Sequence, residues 1–102
     1  MPIELQIYER RDNTNLEDLG NAALNLCRAW RATEGIRSAR FYWYAVNTVI
    51  FWIEGEAQGL NASVDANMAR AVFDFADLAR RTMALRLSEP RVGEGAYRLA
   101  GR

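Results

Sequence analysis

Apolar residues occupy both faces of the stretch from Ile36 to Ala57, and this stretch organises the predicted fold. Side chains of a β-strand point alternately to its two faces. Six of the chain's eleven aromatic residues lie here, and they fall on both faces of two successive strands: Phe41, Tyr42, Trp43, Tyr44, Phe51 and Trp52. The pattern predicts a β-hairpin that turns near residues 46–48, where asparagine tolerates positive φ, and whose faces are both covered.

An N-terminal strand and two helices flank the predicted hairpin. Ile3, Leu5 and Ile7 alternate with polar residues, which is typical of a half-buried strand. A capping box over residues 14–17, with Thr14 as its first residue, predicts a helix to about Thr33. Apolar residues three to four apart predict the buried stripes of the two helices, namely Leu16, Leu19, Ala23, Leu26 and Trp30, then Ala69, Val72, Phe73, Ala76, Ala79 and Met83.

The segment after the second helix has two interpretations. Met83, Leu85 and Leu87 alternate as in a strand, yet the segment consists of good helix formers without β-branched aliphatic residues. We favour a helix to about Arg86 and keep a fourth strand over residues 82–88 as the alternative. Pro90 then ends regular structure, which gives one domain over residues 1–88 and a C-terminal arm over residues 89–102.

The order of elements predicts an α+β fold. Strand, helix, strand, strand, helix and an optional last strand make a ferredoxin-like βαββα(β) sandwich, with an antiparallel sheet and two helices on one face. The other face would carry a large apolar patch, from Tyr8, Tyr42, Tyr44, Ile50 and Trp52. Monomers rarely leave such a patch exposed, so we expect a homodimer, since two-fold pairing is the commonest symmetry.

Composition excludes several classes of function. The net charge of zero argues against binding to nucleic acid or to a membrane surface. Because the chain has no histidine, it lacks the usual general base and the commonest metal ligand. The single cysteine, Cys27, is expected to be a small buried apolar residue. We therefore expect no metal, no obligatory cofactor and, without a recognisable signal peptide, a cytoplasmic protein.

The predicted helix, hairpin and second helix resemble the dimeric α+β barrel superfamily, which includes the antibiotic-biosynthesis-monooxygenase-like proteins. The resemblance implies two ferredoxin-like units with their sheets face to face and a pocket between each sheet and the partner or the helices. It covers residues 1 to about 88. The absence of histidine departs from the haem-degrading members, which use one as an axial ligand. Cofactor-free members place Asn, Trp, Tyr and Arg around the substrate, and Asn47, Trp52, Tyr42 and Arg40 are of those types here, without transferred roles.

The uncovered face is the predicted ligand site. Arginine could pair with a carboxylate or phenolate, tyrosine could hydrogen-bond, and tryptophan could stack on a ring. The predicted site residues are Gln6, Tyr8, Ser38, Arg40, Tyr42, Tyr44, Trp52 and Glu54.

The expected function is binding of a small aromatic or apolar molecule, with cofactor-free oxidation as its enzymatic extension. Two alternatives stay open. The same residues would serve a purely structural or protein-interaction module, since Tyr, Trp and Arg are enriched at interfaces. RNA recognition shares the element order, but residues 49–53 lack the signature of its third strand.

Overall fold

A four-stranded antiparallel sheet carries helices on one face, as the sequence predicts. The computed structural model describes residues 1–61 and 66–88, so the predicted C-terminal arm lies outside the described residues. The elements are β1 (Ile3–Arg10), α1 (Leu16–Arg31), β2 (Ile36–Tyr44), β3 (Thr48–Gly55), α2 (Ala57–Leu60), α3 (Ala66–Leu78) and β4 (Ala79–Leu87). The sheet order β2-β3-β1-β4, with every neighbouring pair antiparallel, confirms the ferredoxin-like arrangement.

The core lies between the helices and one face of the sheet. Val49, Phe51 and Ile53 of β3 are fully buried there. Phe75 of α3 packs edge-on against Phe51, with ring centroids 5.1 Å apart. Leu19 of α1 is also fully buried in this layer. Among the described residues, no helix lies on the opposite face of the sheet.

Helix α1 begins one residue later than the capping box predicts. Asn15 is the N-cap, and its Oδ1 accepts hydrogen bonds from the amides of Glu17 at 2.7 Å and Asp18 at 3.2 Å. The Thr14 hydroxyl instead donates to the carbonyl of Leu78 at 3.1 Å. The predicted stripe is confirmed at its centre, whereas Leu16 is exposed. The cap was misassigned because Thr14 bonds to a distant segment that the local pattern does not show.

The favoured helix to Arg86 is wrong, and the alternative strand is correct. Helix α3 ends at Leu78 and β4 begins at the next residue, paired with β1. Backbone pairing to a central strand overrides the helix propensity of this segment. The predicted stripe of the second helix is wrong except at Ala79, which is buried but begins β4. Helix α3 instead buries Met68, Ala71 and Phe75, while Phe73 is 72% exposed.

A β-bulge at Thr82 decides which side chains of β4 face the helices. Ile7 pairs with Met83 and Tyr8 pairs with Arg81, so Thr82 has no counterpart on β1. The Thr82 hydroxyl donates to the Ile7 carbonyl at 3.2 Å. Because a bulge shifts the alternation by one residue, the apolar residues of β4 beyond it point away from the helices.

The tight turn of the β2–β3 hairpin also differs from its prediction. Ala45, and not Asn47, has positive φ, at 60°. Asn47 is held by Arg10, whose amide donates to its carbonyl at 2.7 Å and whose guanidinium donates to its Oδ1 at 2.8 Å. This contact joins the end of β1 to the turn.

Three glycines allow the loop before β2 to cross the end of β3 and helix α2. Gly35 has φ of 89°, as its predicted place after a helix favours. A Cβ on Gly55 would lie 2.5 Å from the carbonyl oxygen of Gly35, and one on Gly59 would lie 2.8 Å from that of Glu34. The close approach therefore depends on backbone without side chains.

We expect Gly55→Ala to lower the free energy of unfolding by about 2 kcal/mol, because its Cβ meets backbone that cannot move aside. The matched control is Gly20→Ala within α1, where the nearest atom to the new Cβ is 3.9 Å away. That substitution should raise the free energy of unfolding by up to about 1 kcal/mol through helix propensity. Denaturant unfolding of both variants checks the pair, and equal stabilities would contradict it.

Candidate functional site

The face of the sheet turned away from the helices, here called the open face, is a four-by-four array of side chains. Residues paired across neighbouring strands share a face, so the strand registers give its four rows. In the order β2, β3, β1, β4 the rows are Ser38–Glu54–Ile3–Leu87, Arg40–Trp52–Leu5–Leu85, Tyr42–Ile50–Ile7–Met83 and Tyr44–Thr48–Glu9–Arg80. Apolar and aromatic side chains fill its centre and two of its four corners.

Six of the eight predicted site residues lie on the open face. They are Ser38, Arg40, Tyr42, Tyr44, Trp52 and Glu54. Tyr44 is 67% exposed at the end of β2. The structure thus brings these six onto one surface, as the alternation of the hairpin predicts.

The placement of Gln6 and Tyr8 on the open face is wrong. Gln6 pairs with the buried Phe51, and the Tyr8 ring packs edge-on against Phe51 and Phe75 at 5.5 Å and 4.7 Å. Strand β1 therefore turns Glu4, Gln6 and Tyr8 to the helices and its apolar residues to the open face. Alternation separates the two sets of side chains but does not say which of them faces the helices.

The polar side chains that β1 turns to the helices belong to a hydrogen-bonded polar row on the helix side of the sheet. The polar row comprises Glu4, Gln6, Tyr8, Asn61 and Arg86. The Tyr8 hydroxyl donates to Gln6 Oε1 at 3.0 Å, and Gln6 Nε2 donates to Glu4 Oε2. Arg86 donates from Nη2 to Glu4 Oε1 at 2.5 Å and from Nη1 to Asn61 Oδ1 at 2.7 Å.

The charged groups of Glu4 and Arg86 fix the direction of these hydrogen bonds. An ionised carboxylate only accepts hydrogen bonds and a guanidinium only donates. Glu4 therefore requires the amide nitrogen of Gln6, which leaves Gln6 Oε1 to accept from Tyr8. Three β1 side chains and one β4 side chain act as a single unit, which the register of the β1–β4 pair aligns.

Burial makes the polar row costly to leave without partners. Gln6 is 6% exposed, and the side chains of Glu4 and Arg86 are 14% and 35% exposed. Burial raises the pKa of Tyr8 above its usual 10.0, although the charge of Arg81 opposes this and that of Glu4 adds to it. Tyr8 is consequently a neutral hydrogen-bond donor at physiological pH.

The polar row ends at a surface cavity of about 370 Å³. Among the described residues, its lining includes Glu4, Asn61, Ala84, Leu85 and Arg86. A second cavity of about 400 Å³ is lined by apolar residues near the hairpin turn, including Leu16 and Trp43. Only a few placed polar groups in an otherwise apolar wall are needed to orient a small ligand, and the first cavity has them.

Sequence reasoning missed Glu4, Asn61 and Arg86 as site residues. Glu4 and Arg86 lie 82 positions apart in the chain, and only the β1–β4 pairing brings them together. The spacing Glu4-x-Gln6-x-Tyr8 was the available signal, because polar residues two apart on a central strand share one covered face.

Cys27 is buried in α1, as predicted. Burial raises the pKa of its thiol to about 11, so the residue is a neutral thiol rather than a nucleophile. Over residues 1–61 and 66–88, no three acidic or cysteine side chains are grouped as metal ligands. Within the same residues, no helix has both the length and the apolar character needed to cross a membrane.

No protein-family model matches the sequence, and no curated protein sequence matches it. Solved structures do match the fold of the chain. SnoaB, a cofactor-independent oxygenase from Streptomyces nogalater, aligns with a TM-score of 0.75 and 4% identity over 92% of this chain and 97% of its own.

Two further solved structures match the same fold. A protein assigned as an antibiotic biosynthesis monooxygenase from Deinococcus radiodurans aligns with a TM-score of 0.73 and 8% identity over 89% and 94% of the two chains. MupZ from Pseudomonas fluorescens aligns with a TM-score of 0.69 and 18% identity over 98% of this chain and 74% of its own. The chain therefore has the ferredoxin-like α+β fold of the antibiotic-biosynthesis-monooxygenase-like proteins.

Proposed function

We propose that the protein is a homodimer that binds a small aromatic or apolar molecule carrying a hydrogen-bonding group. The open face pairs the two copies, and the cavity beside Glu4, Asn61 and Arg86 takes the ligand. One observation carries the proposal: central strand β1 turns its apolar side away from the core and its polar side into it. A monomeric two-layer fold gains nothing from that orientation.

The size of the open face supports pairing. Strands about 4.8 Å apart and residue rows about 6.8 Å apart give the array a flat area of about 500 Å² per copy. Two such faces bury about 1,000 Å², without the additional surface of protruding side chains. This area is at the lower limit for specific protein interfaces. In this proposal the six predicted site residues on the open face belong to the interface, as their enrichment in Tyr, Trp and Arg favours.

The polar row supports ligand binding on the other side of the sheet. Burying polar groups costs free energy that an apolar core would not cost, so their retention fits a role outside folding. Within residues 1–61 and 66–88, Arg86 has donors at the cavity beyond its two hydrogen bonds, and Asn61 has its amide nitrogen available. A hydroxyl, carbonyl or carboxylate could bond to them while the rest of the molecule lies against Ala84.

Turnover of the bound molecule is a second candidate function. The favouring observation is the fold shared with SnoaB, which is a cofactor-independent oxygenase. The chemistry would need no metal or histidine and would use molecular oxygen as the oxidant. Oxygen consumption on addition of a bound aromatic substrate, in protein freed of metals, tests this extension separately from binding.

The dimer proposal predicts that Leu5→Glu at the centre of the open face gives a monomer, because two buried carboxylates would face the partner. The molecular mass measured by sedimentation should fall from twice 11.6 kDa to 11.6 kDa. The matched control is Phe73→Glu, at an exposed apolar position on α3, which should remain a dimer. Wild-type protein that sediments as a monomer at micromolar concentration would refute the proposal.

The ligand proposal is tested with 2-naphthol, which has an apolar body and one hydroxyl. Amide chemical shifts should change around Glu4, Asn61 and Arg86, and Arg86→Met should weaken binding about tenfold through the lost charged donor. Arg81→Met on the same strand is the control and should bind as wild type. Shifts confined to the open face, or no binding by a series of such aromatics, would favour the interaction module.

The buried phenol of Tyr8 predicts a pH dependence of stability. Its pKa is raised in the folded state, so its contribution is complete below the ordinary pKa of 10.0 and is lost as pH rises through the raised value. The free energy of unfolding should therefore fall more steeply above pH 10 in wild type than in Tyr8→Phe. Parallel denaturant unfolding curves of the two proteins across pH 9 to 11 would contradict this.

A further inference from the structure

The outer end of the polar row presents hydrogen-bond donors to the cavity. Arg86 donates to Glu4 Oε1 and, at 2.7 Å, to Asn61 Oδ1. Because a guanidinium only donates hydrogen bonds, the Asn61 amide must turn its oxygen towards Arg86. The Nδ2 group of Asn61, which only donates, is then left for the cavity that Asn61 lines.

The acceptors of the polar row already have partners. Glu4 Oε1 accepts from Arg86, and Glu4 Oε2 accepts from Gln6. Gln6 Oε1 accepts from the Tyr8 hydroxyl at 3.0 Å. Gln6 is 6% exposed, so turning its amide would set a buried oxygen against the Glu4 carboxylate. Within the described part of the chain, the groups still free to bond at the cavity are therefore mainly the N–H groups of Asn61 and Arg86.

The charges beside the cavity cancel. Its lining includes the cation Arg86 and the anion Glu4, which are in direct contact as an ion pair. A ligand with a negative charge is attracted by Arg86 and repelled by Glu4, and the reverse holds for a positive charge. A charged ligand also loses hydration when it binds. A neutral group that accepts hydrogen bonds avoids both the repulsion and the larger loss of hydration.

We propose that this cavity selects a neutral hydrogen-bond acceptor, namely a carbonyl oxygen, and that Asn61 is the residue that determines this specificity. The inference rests on the proposed function and names the chemical class of its ligand, an aromatic or apolar ketone rather than an acid or an amine. Arg86 donates to the carbonyl oxygen and also holds the Asn61 amide so that it donates too. Two donors match the two lone pairs of one carbonyl oxygen.

Four naphthalenes with the same ring test this selection by NMR titration. 2-Acetonaphthone carries the carbonyl group, and 2-isopropenylnaphthalene has the same shape with a methylene carbon in place of the oxygen. 2-Naphthoate is an anion, and 2-(aminomethyl)naphthalene is a cation at neutral pH. We expect the ketone to bind about tenfold more tightly than the isopropenyl compound, which leaves the donors of Asn61 and Arg86 unpaired. The ketone should also bind more tightly than either charged compound.

The substitution Asn61→Asp tests the residue itself. Aspartate still offers an oxygen to Arg86 but has no N–H group for the ligand. The ratio of the two dissociation constants, ketone against isopropenyl compound, should fall from about tenfold to about twofold. Asn47→Asp is the matched control, because Asn47 Oδ1 also accepts from an arginine, Arg10, at 2.8 Å. This variant should have the same ratio as wild type.

A second measurement uses the wild-type protein alone. The side-chain amide protons of Asn61 should shift downfield when the ketone saturates the protein, because they form a new hydrogen bond. The isopropenyl compound, which has the same ring, should shift them less. Equal shifts with both compounds would contradict the proposed bond, whether or not the Asn61→Asp variant folds.

The outcomes separate this inference from the proposed function. Equal affinity for the ketone and the isopropenyl compound, or tightest binding by 2-naphthoate or by the amine, overturns the inference and leaves a small-molecule site at the cavity. An unchanged ratio in Asn61→Asp overturns the role of Asn61. If none of the four compounds binds beside Glu4, Asn61 and Arg86, the proposed ligand site fails and the inference fails with it.

Discussion

The orientation of one central strand constrains everything else in this molecule. Strand β1 lies between β3 and β4, so both of its edges are paired and each of its faces adds to one face of the sheet. It turns Ile3, Leu5 and Ile7 to the open face and Glu4, Gln6 and Tyr8 to the face that the described helices cover. An apolar surface without a helix needs another cover, and a polar surface under helices needs hydrogen bonds.

The bulge at Thr82 makes the neighbouring strand consistent with that orientation. If Thr82 were paired with Ile7 in a regular ladder, β4 would place its apolar side chains against the polar side chains of β1. With it, Met83, Leu85 and Leu87 continue the apolar surface of the open face, and Arg86 lies beside Glu4. A single inserted residue thus extends the open face and completes the polar row at the same time.

The two faces of the sheet differ in their chemistry. The open face carries apolar and aromatic side chains at its centre. The helix side has a hydrogen-bonded row whose outer end is a cavity. Similar folds in SnoaB and MupZ show that this scaffold recurs at low sequence identity, so the chemistry of this chain depends on its own side chains rather than on the fold.

The sequence by itself determined the order of β1, α1, β2 and β3, the hairpin with apolar side chains on both faces, and the buried state of Cys27. These follow from local periodicity, which depends only on residues close together in the chain. Only the tertiary structure decided that residues 79–87 form a strand, that β1 turns its polar side chains to the helices, and that Glu4, Asn61 and Arg86 meet. Those features depend on strand pairing between distant segments, and pairing both overrides helix propensity and selects which of two alternating faces is covered.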